Sequence, residues 1–370
     1  MEFFVDLDNV KAKEKTYLTH NYHPYPAKYI PQIPAGIMEK YVLDKGAVVL
    51  DPFAGSGTTL VEAIVHGHNA IGVDSNPISV LISKAKSTPL NFVERSSVSN
   101  LLDELSHLIN LNNPEVDLPE FKNRDHWFQR NMLVELVVIK NLINKIENEN
   151  VKNFLLCGLS AIIVKCSNQE NDTRYAAKNK ELEDGYAYKE FTKKINDMLK
   201  RNVELAKIIQ GESVVKQASS TNLNFIEDDS VDIVITSPPY LNSYDYYLYH
   251  KLRMFILDLD HKEAQNVEIG SRNKHSDHSL GPEVYFESMR LVGSELFRVM
   301  KPKGKCIIVV GDSIVNKQLI NMSVEYSNIF KDIGFKVIES FSFDQRKYTT
   351  AFIKKSTDLS KRTHVLVYQK

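Results

Sequence analysis

The sequence predicts an α/β fold, in which a mainly parallel sheet ends in an antiparallel hairpin and is interrupted by a helical insertion. Three observations support this prediction. A strand, a glycine-rich turn, a helix and a second strand follow one another between residues 47 and 74. Residues 80–212 then have the apolar spacing of helices, and strand patterns return from residue 230.

The first unit is a strand–helix–strand unit. Residues 47–51 (AVVLD) are an apolar run that ends in an acid, which is typical of a buried strand. A helix is predicted from about Thr58 to Gly67, and residues 70–74 (AIGVD) form the next strand. Because the connections are short and contain a helix, the two strands are expected to be parallel.

The next block is predicted to be mostly helical. The stretches 130–146, 151–166 and 189–209 place apolar residues three and four positions apart, whereas 110–126 is predicted to be a loop. We therefore expect one domain formed by residues 1–90 and 213–370, and a helical insertion formed by residues 91–212.

The sheet pattern returns in the last third of the chain. Residues 230–237 form a strand that ends before two prolines. The further predicted elements are a helix at 283–300, a strand at 304–312, a helix at 316–333 and strands at 334–343 and 363–369. The last two strands are expected to pair as an antiparallel hairpin around the loop 344–362.

The composition matches an ordinary globular protein. The 370 residues carry 46 basic and 47 acidic side chains, and 43% of residues are hydrophobic. These values exclude a mainly disordered chain and a disulfide scaffold. The sequence has no membrane-length apolar run and no signal-peptide pattern, and Cys157, Cys166 and Cys306 form no CxxC pair. We therefore expect a cytoplasmic protein with reduced thiols.

The turn after the first strand is a candidate cofactor site. It reads DPFAGSGTT from Asp51 to Thr59, and its glycines allow a ligand to approach the backbone and the N–H groups at the helix start. Asp74 ends the next strand, where a carboxylate can accept hydrogen bonds from ribose hydroxyls. Asp51 would repel a pyrophosphate but suits a cationic amino-acid group. The alternative is a plain tight turn.

The sequence Ser237-Pro238-Pro239-Tyr240 is the second candidate site. The prolines fix φ and lack N–H donors, so the turn offers the Ser237 hydroxyl and main-chain carbonyls as acceptors. These acceptors suit the exocyclic amino group of a nucleobase that stacks on Tyr240. The alternative is a strand-ending turn with a surface tyrosine.

The two motifs in this order resemble the amino-group DNA methyltransferases, which use S-adenosyl-L-methionine. The resemblance implies a Rossmann-like methyltransferase sheet, with the first motif at the methionine part of the cofactor and the second as the catalytic loop. HPYPAKYIP (23–31) resembles the family's cofactor-side motif, and VDSNP (73–77) resembles its ribose-binding segment. The acid that the family often carries where Ala218-Ser219-Ser220 stand is absent.

The resemblance implies the following site residues. The catalytic residues are Ser237, Pro238, Pro239 and Tyr240. The cofactor-binding residues are Tyr25, Pro26, Ala27, Lys28, Asp51, Pro52, Phe53, Gly55, Ser56, Gly57, Thr58, Thr59, Asp74, Ser75 and Asn76. No metal is expected.

The motif also indicates which base is methylated. In the family, Ser-Pro-Pro-Tyr is typical of cytosine-N4 enzymes, whereas Asp- or Asn-Pro-Pro is typical of adenine-N6 enzymes, so Ser237 favours cytosine N4. The expected reaction is direct transfer to a flipped base, with Ser237 and the Pro238 carbonyl on the amino group. An adenine-N6 enzyme, an RNA amino-group methyltransferase and a nucleic-acid-binding module with a relic methyltransferase fold are the alternatives.

Double-stranded DNA is the expected substrate, and a restriction endonuclease acting on the same site is a candidate partner. The candidate DNA contacts are Arg272, Lys274, Arg346, Lys347, Lys354 and Lys355. The insertion 91–212 is predicted by elimination to recognise the target, and its stretch 174–201 is rich in basic residues. A packing or dimerisation role is the alternative. Among the tyrosines after the catalytic turn, Tyr244 is the candidate substrate contact.

Overall fold

The computed structural model describes residues 10–41, 44–109, 115–242, 244–271, 281–344 and 361–370. Two short 3-10 helices, Ala12–Lys15 and Leu18–Asn21, precede the first α-helix. The α-helices are α1 (Gln32–Lys40), α2 (Thr58–Val65), α3 (Pro77–Ser87), α4 (Phe92–Ile109), α5 (Arg124–Trp127), α6 (Arg130–Asn144), α7 (Glu149–Ile163), α8 (Tyr186–Ile208), α9 (Tyr246–Ile256), α10 (His261–Val267), α11 (Pro282–Val299) and α12 (Met322–Ile333).

The strands form one large sheet and two small hairpins. They are β1 (Val48–Asp51), β2 (Asn69–Asp74), β3 (Gln169–Asn171), β4 (Arg174–Ala177), β5 (Ser213–Gln217), β6 (Val231–Thr236), β7 (Met300–Gly311), β8 (Ser313–Val315), β9 (Gln318–Ile320), β10 (Lys336–Asp344) and β11 (Arg362–Gln369). The large sheet has seven strands in the order β10-β11-β7-β6-β1-β2-β5.

The direction of the strands confirms the predicted fold class. β1 is parallel to β2 and β6, β6 is parallel to β7, and β2 is parallel to β5. β11 runs antiparallel to both of its neighbours, β7 and β10. The sheet is therefore mainly parallel, and its antiparallel strand belongs to the predicted last hairpin.

The centre of the sheet is buried because helices cover both of its faces. Val49 and Leu50 of β1 are fully buried, as expected for a strand between parallel neighbours. Nearly all residues of α2 are buried in the core. Asn76 caps the start of α3, because its side chain accepts a hydrogen bond from the Ile78 N–H group at 2.9 Å. These helices follow β1 and β2 directly, so they fix the loops at the carboxyl ends of both strands.

The helical block shares its hydrophobic core with two helices of the sheet region. One cluster of buried side chains includes Leu81 of α3, Leu136 of α6, Phe154 of α7 and Leu252 of α9. The helices between residues 92 and 208 therefore pack against α3 and α9 through continuous apolar contacts. The division into two domains stays a prediction. No helix in the described part of the chain is long and apolar enough to cross a membrane.

Three short elements differ from the prediction. The edge strand β5 was not predicted, because its pattern is weak: Val215 is buried whereas Val214 is 65% exposed. The hairpin β3–β4 lies inside the block predicted as helical. The helix predicted at 316–333 begins at Met322, since Asn321 caps it and the preceding residues form the hairpin β8–β9.

Candidate active site

One pocket lies at the carboxyl ends of β1, β2 and β6, and encloses about 950 Å³ including space open to solvent. It brings together both predicted motifs. The predicted residues that line it are Tyr25, Ala27, Lys28, Asp51, Phe53, Gly55, Ser56, Thr58, Asp74, Ser75, Asn76 and the four residues Ser237, Pro238, Pro239 and Tyr240. Pro26, Pro52, Gly57 and Thr59 were predicted as cofactor-binding but are not part of the lining.

The glycine-rich turn is held from behind by α3. Gly57 has a φ of +71°, and a Cβ atom added there would lie 3.0 Å from the Cα atom of Ser83, so a larger residue would collide with backbone. The Ser83 hydroxyl donates to the Gly55 carbonyl at 2.9 Å, and the Lys86 Nζ donates to the Ser56 carbonyl at 2.5 Å. Lys86 is nearly fully buried, so α3 fixes the shape of the turn with internal bonds.

Asp51 connects three elements at the base of the pocket. Its Oδ1 atom accepts from the Thr236 hydroxyl at 2.7 Å and from the Phe53 N–H group at 3.1 Å. Its Oδ2 atom accepts from the Thr59 hydroxyl at 2.6 Å and from the Tyr29 hydroxyl at 3.4 Å. Burial raises the pKa of Asp51, and these hydrogen bonds oppose that rise. Thr59 therefore orients a pocket residue from outside the pocket.

Asp74 is a buried carboxylate that also lines the pocket. Its Oδ2 atom accepts from the Gly55 N–H group and its Oδ1 atom from the Asn76 N–H group, both at 2.8 Å. Burial raises the pKa of Asp74 to about 6, although the two backbone hydrogen bonds oppose the shift. Each carboxylate oxygen has a second lone pair, so Asp74 retains acceptor capacity for a ligand.

The turn at 237–240 is fixed by two tyrosines from beneath. The Tyr285 hydroxyl donates to the Pro239 carbonyl at 3.0 Å and lies 2.7 Å from the Tyr326 hydroxyl. No described residue donates to the carbonyl of Pro238. Burial raises the pKa of Tyr240 to about 12, and a hydrogen bond with Ser237 opposes this shift. The turn therefore presents a neutral phenol beside the unshared carbonyl of Pro238.

An aromatic wall closes another side of the pocket. The rings of Tyr25 and Tyr246 stack with centroids 5.8 Å apart, and both rings line the pocket. Glu268 faces the same space and accepts from the backbone N–H groups of Tyr246 and Tyr247 at the start of α9. The structure thus places Tyr246 in the wall, whereas Tyr244, the predicted substrate contact, is not part of the lining and lies with its ring centroid 5.8 Å from that of Tyr246.

Lys28 supplies a positive charge to the pocket. Its Nζ atom donates to the His20 carbonyl at 3.0 Å, and burial lowers its pKa to about 8. Behind it, the His20 Nε2 atom lies 2.7 Å from the Glu62 Oε1 atom, and burial raises the pKa of Glu62 to about 7. The pocket lining therefore contains one lysine, Lys28, and two buried carboxylates, Asp51 and Asp74, whose pKa values are shifted toward neutrality, and Glu62 lies outside the lining.

Sequence reasoning missed several lining residues. They are Tyr29, Ala54, Ser219, Ser220, Tyr246, Ala264, Val267, Glu268 and Ile269. Tyr29 lies within the HPYPAKYIP segment, and Ser219 and Ser220 stand where the family often carries an acid, so these positions had a signal. The Ser220 hydroxyl donates to the Pro52 carbonyl at 2.6 Å. The residues of α10 and its C-terminal loop carry no motif, and only the fold brings them to the pocket.

The predicted DNA contacts Arg272, Lys274, Arg346, Lys347, Lys354 and Lys355 lie outside the described residues. Part of the basic stretch 174–201 has structural partners. Lys180 donates to the Val164 carbonyl, Lys194 donates to the Asn21 carbonyl, and Arg201 donates to the carbonyls of Thr16 and Leu18. Within the described ranges, no cluster of three or more His, Cys, Asp or Glu residues could hold a metal ion.

The sequence matches known proteins at two levels. The sequence model of the N6/N4 methyltransferases, described as a DNA methylase, matches residues 6–85. The Type II methyltransferase M.MvaI of Kocuria varians is 28% identical to the chain, and the alignment covers 90% of this chain and 85% of the relative. M.MjaII of Methanocaldococcus jannaschii is 24% identical, and the alignment covers 92% of this chain and 79% of the relative. M.BsoBI of Geobacillus stearothermophilus is 25% identical, and the alignment covers 90% of this chain and 82% of the relative. The similarity to these Type II methyltransferases therefore extends through the helical block.

Proposed function

We propose that this chain, a member of the amino-group DNA methyltransferase family, transfers a methyl group from S-adenosyl-L-methionine to the exocyclic N4 atom of cytosine in double-stranded DNA. The supporting observation is the single pocket in which the glycine-rich turn, Asp74 and the turn Ser237–Tyr240 meet. A cofactor held by the first two would lie beside a base held by the third, and such proximity supplies much of the rate of a transfer reaction.

The donor set of the pocket fits this cofactor. The carboxylate of Asp51 suits a cationic amino group, the charge of Lys28 suits a carboxylate, and the spare lone pairs of Asp74 suit ribose hydroxyls. When bound, S-adenosyl-L-methionine supplies an electrophilic methyl group on a sulfonium. The buried network around Asp51 excludes water from the base of the site and holds its charge in place.

The turn Ser237–Tyr240 suits an aromatic amine. In cytosine the lone pair of the amino nitrogen is delocalised into the ring, which makes the nitrogen a weak nucleophile. The Ser237 hydroxyl and the unshared Pro238 carbonyl accept hydrogen bonds from the two N–H bonds of the amine and favour a tetrahedral nitrogen. The face of Tyr240 stacks on the base, and no covalent enzyme intermediate is needed. The new bond from the nitrogen to the methyl carbon would replace the carbon–sulfur bond of the cofactor, and the methylated nitrogen would release one proton to water.

Ser237 is the basis for choosing cytosine N4 over adenine N6. A serine hydroxyl at this position is typical of cytosine-N4 enzymes, whereas a carboxylate or amide is typical of adenine-N6 enzymes. The reaction follows the same steps for both bases, so the choice between them is made by the fit of the base and the acceptors around its amine.

Nucleoside mass spectrometry tests the proposal. The protein is incubated with S-adenosyl-L-methionine and unmethylated DNA, with RNA in parallel and with a reaction lacking the cofactor as control, and the products are digested to nucleosides. N4-methyldeoxycytidine in the DNA digest supports the proposal. N6-methyldeoxyadenosine overturns the choice of base, methylation of RNA alone overturns the choice of polymer, and cofactor binding without methylation of any substrate favours a binding module.

We also propose that a restriction endonuclease acting on the same site is the functional partner. The three relatives are named Type II methyltransferases, and this motivates the proposal. DNA methylated by this chain would be digested with endonucleases of known specificity, together with mock-treated DNA. We expect the methylated DNA to resist endonucleases of one specificity only. If every endonuclease whose site overlaps the modified base still cleaves fully methylated DNA, this proposal is wrong.

A further inference from the structure

A second depression lies between the helical block and the helices that follow the catalytic turn. It is formed by the loop 119–123, α5, β4 and the region where α9 leads into α10. We name it the aromatic–lysine groove after the residues that line it: Phe121, Trp127, Tyr175 and Phe255, together with Lys122, Lys251, Lys262 and His261. The methyl-transfer chemistry described above uses none of these residues.

The aromatic residues of the groove form two close pairs, one stacked and one tilted by 35°. The rings of Phe121 and Phe255 are parallel within 10°, with centroids 4.3 Å apart. Trp127 and Tyr175 also lie 4.3 Å apart, from centroid to centroid. Phe121, Tyr175 and Phe255 are only partly buried although they pack against the core. The groove therefore offers rigid aromatic surface to a flat ligand at low entropic cost.

The charges of the groove are unbalanced. Both acidic residues of the lining are already paired with cations outside it: Glu120 with Arg124, and Asp258 with Lys140 at 2.7 Å. Lys122, Lys251 and Lys262 take part in no ion pair among the described residues. Burial lowers the pKa of Lys251, and the neighbouring charge of Lys122 adds to that effect. Cations that face one another without an acid favour an anionic ligand.

The groove is close to the pocket along the chain and in space. α10 contributes His261 and Lys262 to the groove at its start, and Ala264 and Val267 to the pocket further on. Seven helical residues span about 10 Å, which is a few nucleotide steps along a DNA strand. A strand whose base enters the pocket therefore reaches the groove with its neighbouring nucleotides.

We propose that the aromatic–lysine groove binds the substrate DNA strand beside the target base, with phosphates against Lys122, Lys251 and Lys262 and an unstacked base against the aromatic residues. Phosphates provide the charge that the lysines lack, and nucleobases stack on aromatic faces in a way that tolerates any sequence. This inference rests on the proposed function, because it assumes that DNA is the substrate, and it assigns the helical block a direct part in holding that substrate.

Trp127 makes the groove observable on its own, because it is the only tryptophan of the chain. The full-length protein is titrated with a short mixed-sequence oligonucleotide, as a single strand and as a duplex, while tryptophan fluorescence and the anisotropy of a label on the DNA are recorded. We expect DNA binding to quench Trp127. If DNA binds by anisotropy but leaves the fluorescence of Trp127 unchanged, the inference is wrong and DNA binds elsewhere.

Charge-reversal variants test whether DNA contacts the groove lysines or other lysines of the surface. In Lys122→Glu/Lys251→Glu we expect the slope of log affinity against log salt to fall by about 2, one for each lost phosphate contact. Lys331→Glu/Lys336→Glu is the matched control, since both lysines are exposed on α12 and β10, away from the groove, and the net charge changes equally. An equal loss in both variants would reveal only a general charge effect and would overturn the inference.

A stacking variant keeps the test independent of charge. Tyr175→Leu removes one aromatic face but keeps an apolar side chain, and we expect DNA affinity to fall roughly 5- to 150-fold, the range for one lost base–aromatic contact. Cofactor affinity and the methylated base should stay as in the wild type. If both groove variants keep the DNA affinity of the wild type and the wild type methylates normally, the inference about the groove is wrong and the proposed function stands. Absence of wild-type methylation would instead overturn the proposed function.

Discussion

The pocket and the aromatic–lysine groove adjoin the same two helices, α9 and α10, but they differ in whether their charged groups have partners within the protein. In the pocket, Asp51 accepts four hydrogen bonds from the protein itself and Asp74 accepts two. In the groove, three lysines have no acidic partner among the described residues. The pocket is therefore organised before a ligand arrives, whereas the groove depends on a ligand to balance its charge.

This difference indicates how each region tolerates substitution. A change in the pocket removes bonds that position a reacting group, so it should affect turnover or cofactor binding strongly. A change of the groove lysines breaks no ion pair among the described residues, so it should affect only the binding of a nucleic acid and leave the fold unchanged. The predictions below follow this comparison from the largest expected effect to the smallest.

Ser237→Ala should lower kcat by about 100- to 1000-fold, the usual loss when one hydrogen-bonding group is removed from a reacting centre. Cofactor affinity should stay nearly constant, because in the proposed arrangement the turn at 237–240 holds the base and not the cofactor. Single-turnover kinetics and calorimetry measure the two quantities. Ser288→Ala, on the exposed face of α11, is the matched control. Full turnover in Ser237→Ala would show that the acceptor is another group.

Lys86→Met should weaken cofactor binding by about 5- to 100-fold. The substitution keeps the length of the side chain but removes the donor that holds the Ser56 carbonyl, so the turn loses its fixed shape. Calorimetric titration with S-adenosyl-L-methionine measures the change. Lys84→Met, on the same helix and partly exposed, serves as control. Equal affinity in the two variants would mean that the bond to Ser56 does not shape the site.

Cofactor affinity should be greatest between about pH 6 and pH 8. Below the raised pKa of Asp74, about 6, the carboxylate takes up a proton and loses acceptor strength. Above the lowered pKa of Lys28, about 8, the ammonium loses its charge. Each limb should change affinity by up to about tenfold per pH unit. Asp74→Asn should flatten the acidic limb and Lys28→Met the alkaline limb, and a limb that persists in its variant belongs to another group.

The same shift at Asp74 predicts an effect of pH on stability. The pKa of this carboxyl is higher in the folded chain than its ordinary value of 3.8, so the folded state binds the proton more tightly. Its contribution to the free energy of unfolding is fully present below about pH 4 and is lost as the pH rises through about 6. Urea unfolding of the wild type and of Asp74→Asn across this range would show the difference, and parallel curves would contradict it.

Lys122→Gln/Lys251→Gln should change the free energy of unfolding by less than about 0.5 kcal/mol, the usual range for surface substitutions, since Lys122 is exposed and Lys251 is only partly buried. The variant relieves the repulsion between two lysines and breaks no ion pair among the described residues. Chemical denaturation measures the change. A loss of several kcal/mol would mean that the lysines stabilise the fold, and the contrast between groove and pocket would then be wrong.

The sequence predicted those parts of the molecule whose residues are close together in the chain. The strand β1, the turn, α2 and β2 follow one another within 27 residues, from Val48 to Asp74, and each has a local signal. The motif SPPY is likewise continuous. The groove could not be predicted, because Phe121, Tyr175 and Phe255 come from three distant segments, and each alone has the pattern of an ordinary core residue.

The same reasoning explains why the sequence did not indicate every residue that lines the site. Tyr244 and Tyr246 are two residues apart and chemically identical, so only the direction in which α9 begins decides that Tyr246 lines the pocket. Glu268 and Ile269 reach the pocket because α10 packs beside α9, and no local sequence pattern predicts that packing. The charges of Lys194 and Arg201 indicated a nucleic-acid surface, but the fold uses them to hold backbone carbonyls.

The hydrogen bond between Thr236 and Asp51 joins residues that are 185 positions apart. Contacts over such a distance form late in folding, because the chain must first lose the entropy of closing a long loop. Contacts within the helical block, such as that between Trp127 and Tyr175, join residues closer in the chain and should form earlier. We therefore expect, during refolding, that the fluorescence of Trp127 becomes native-like before the cofactor can bind. Simultaneous recovery of both signals would show that the helical block and the pocket form in one cooperative step.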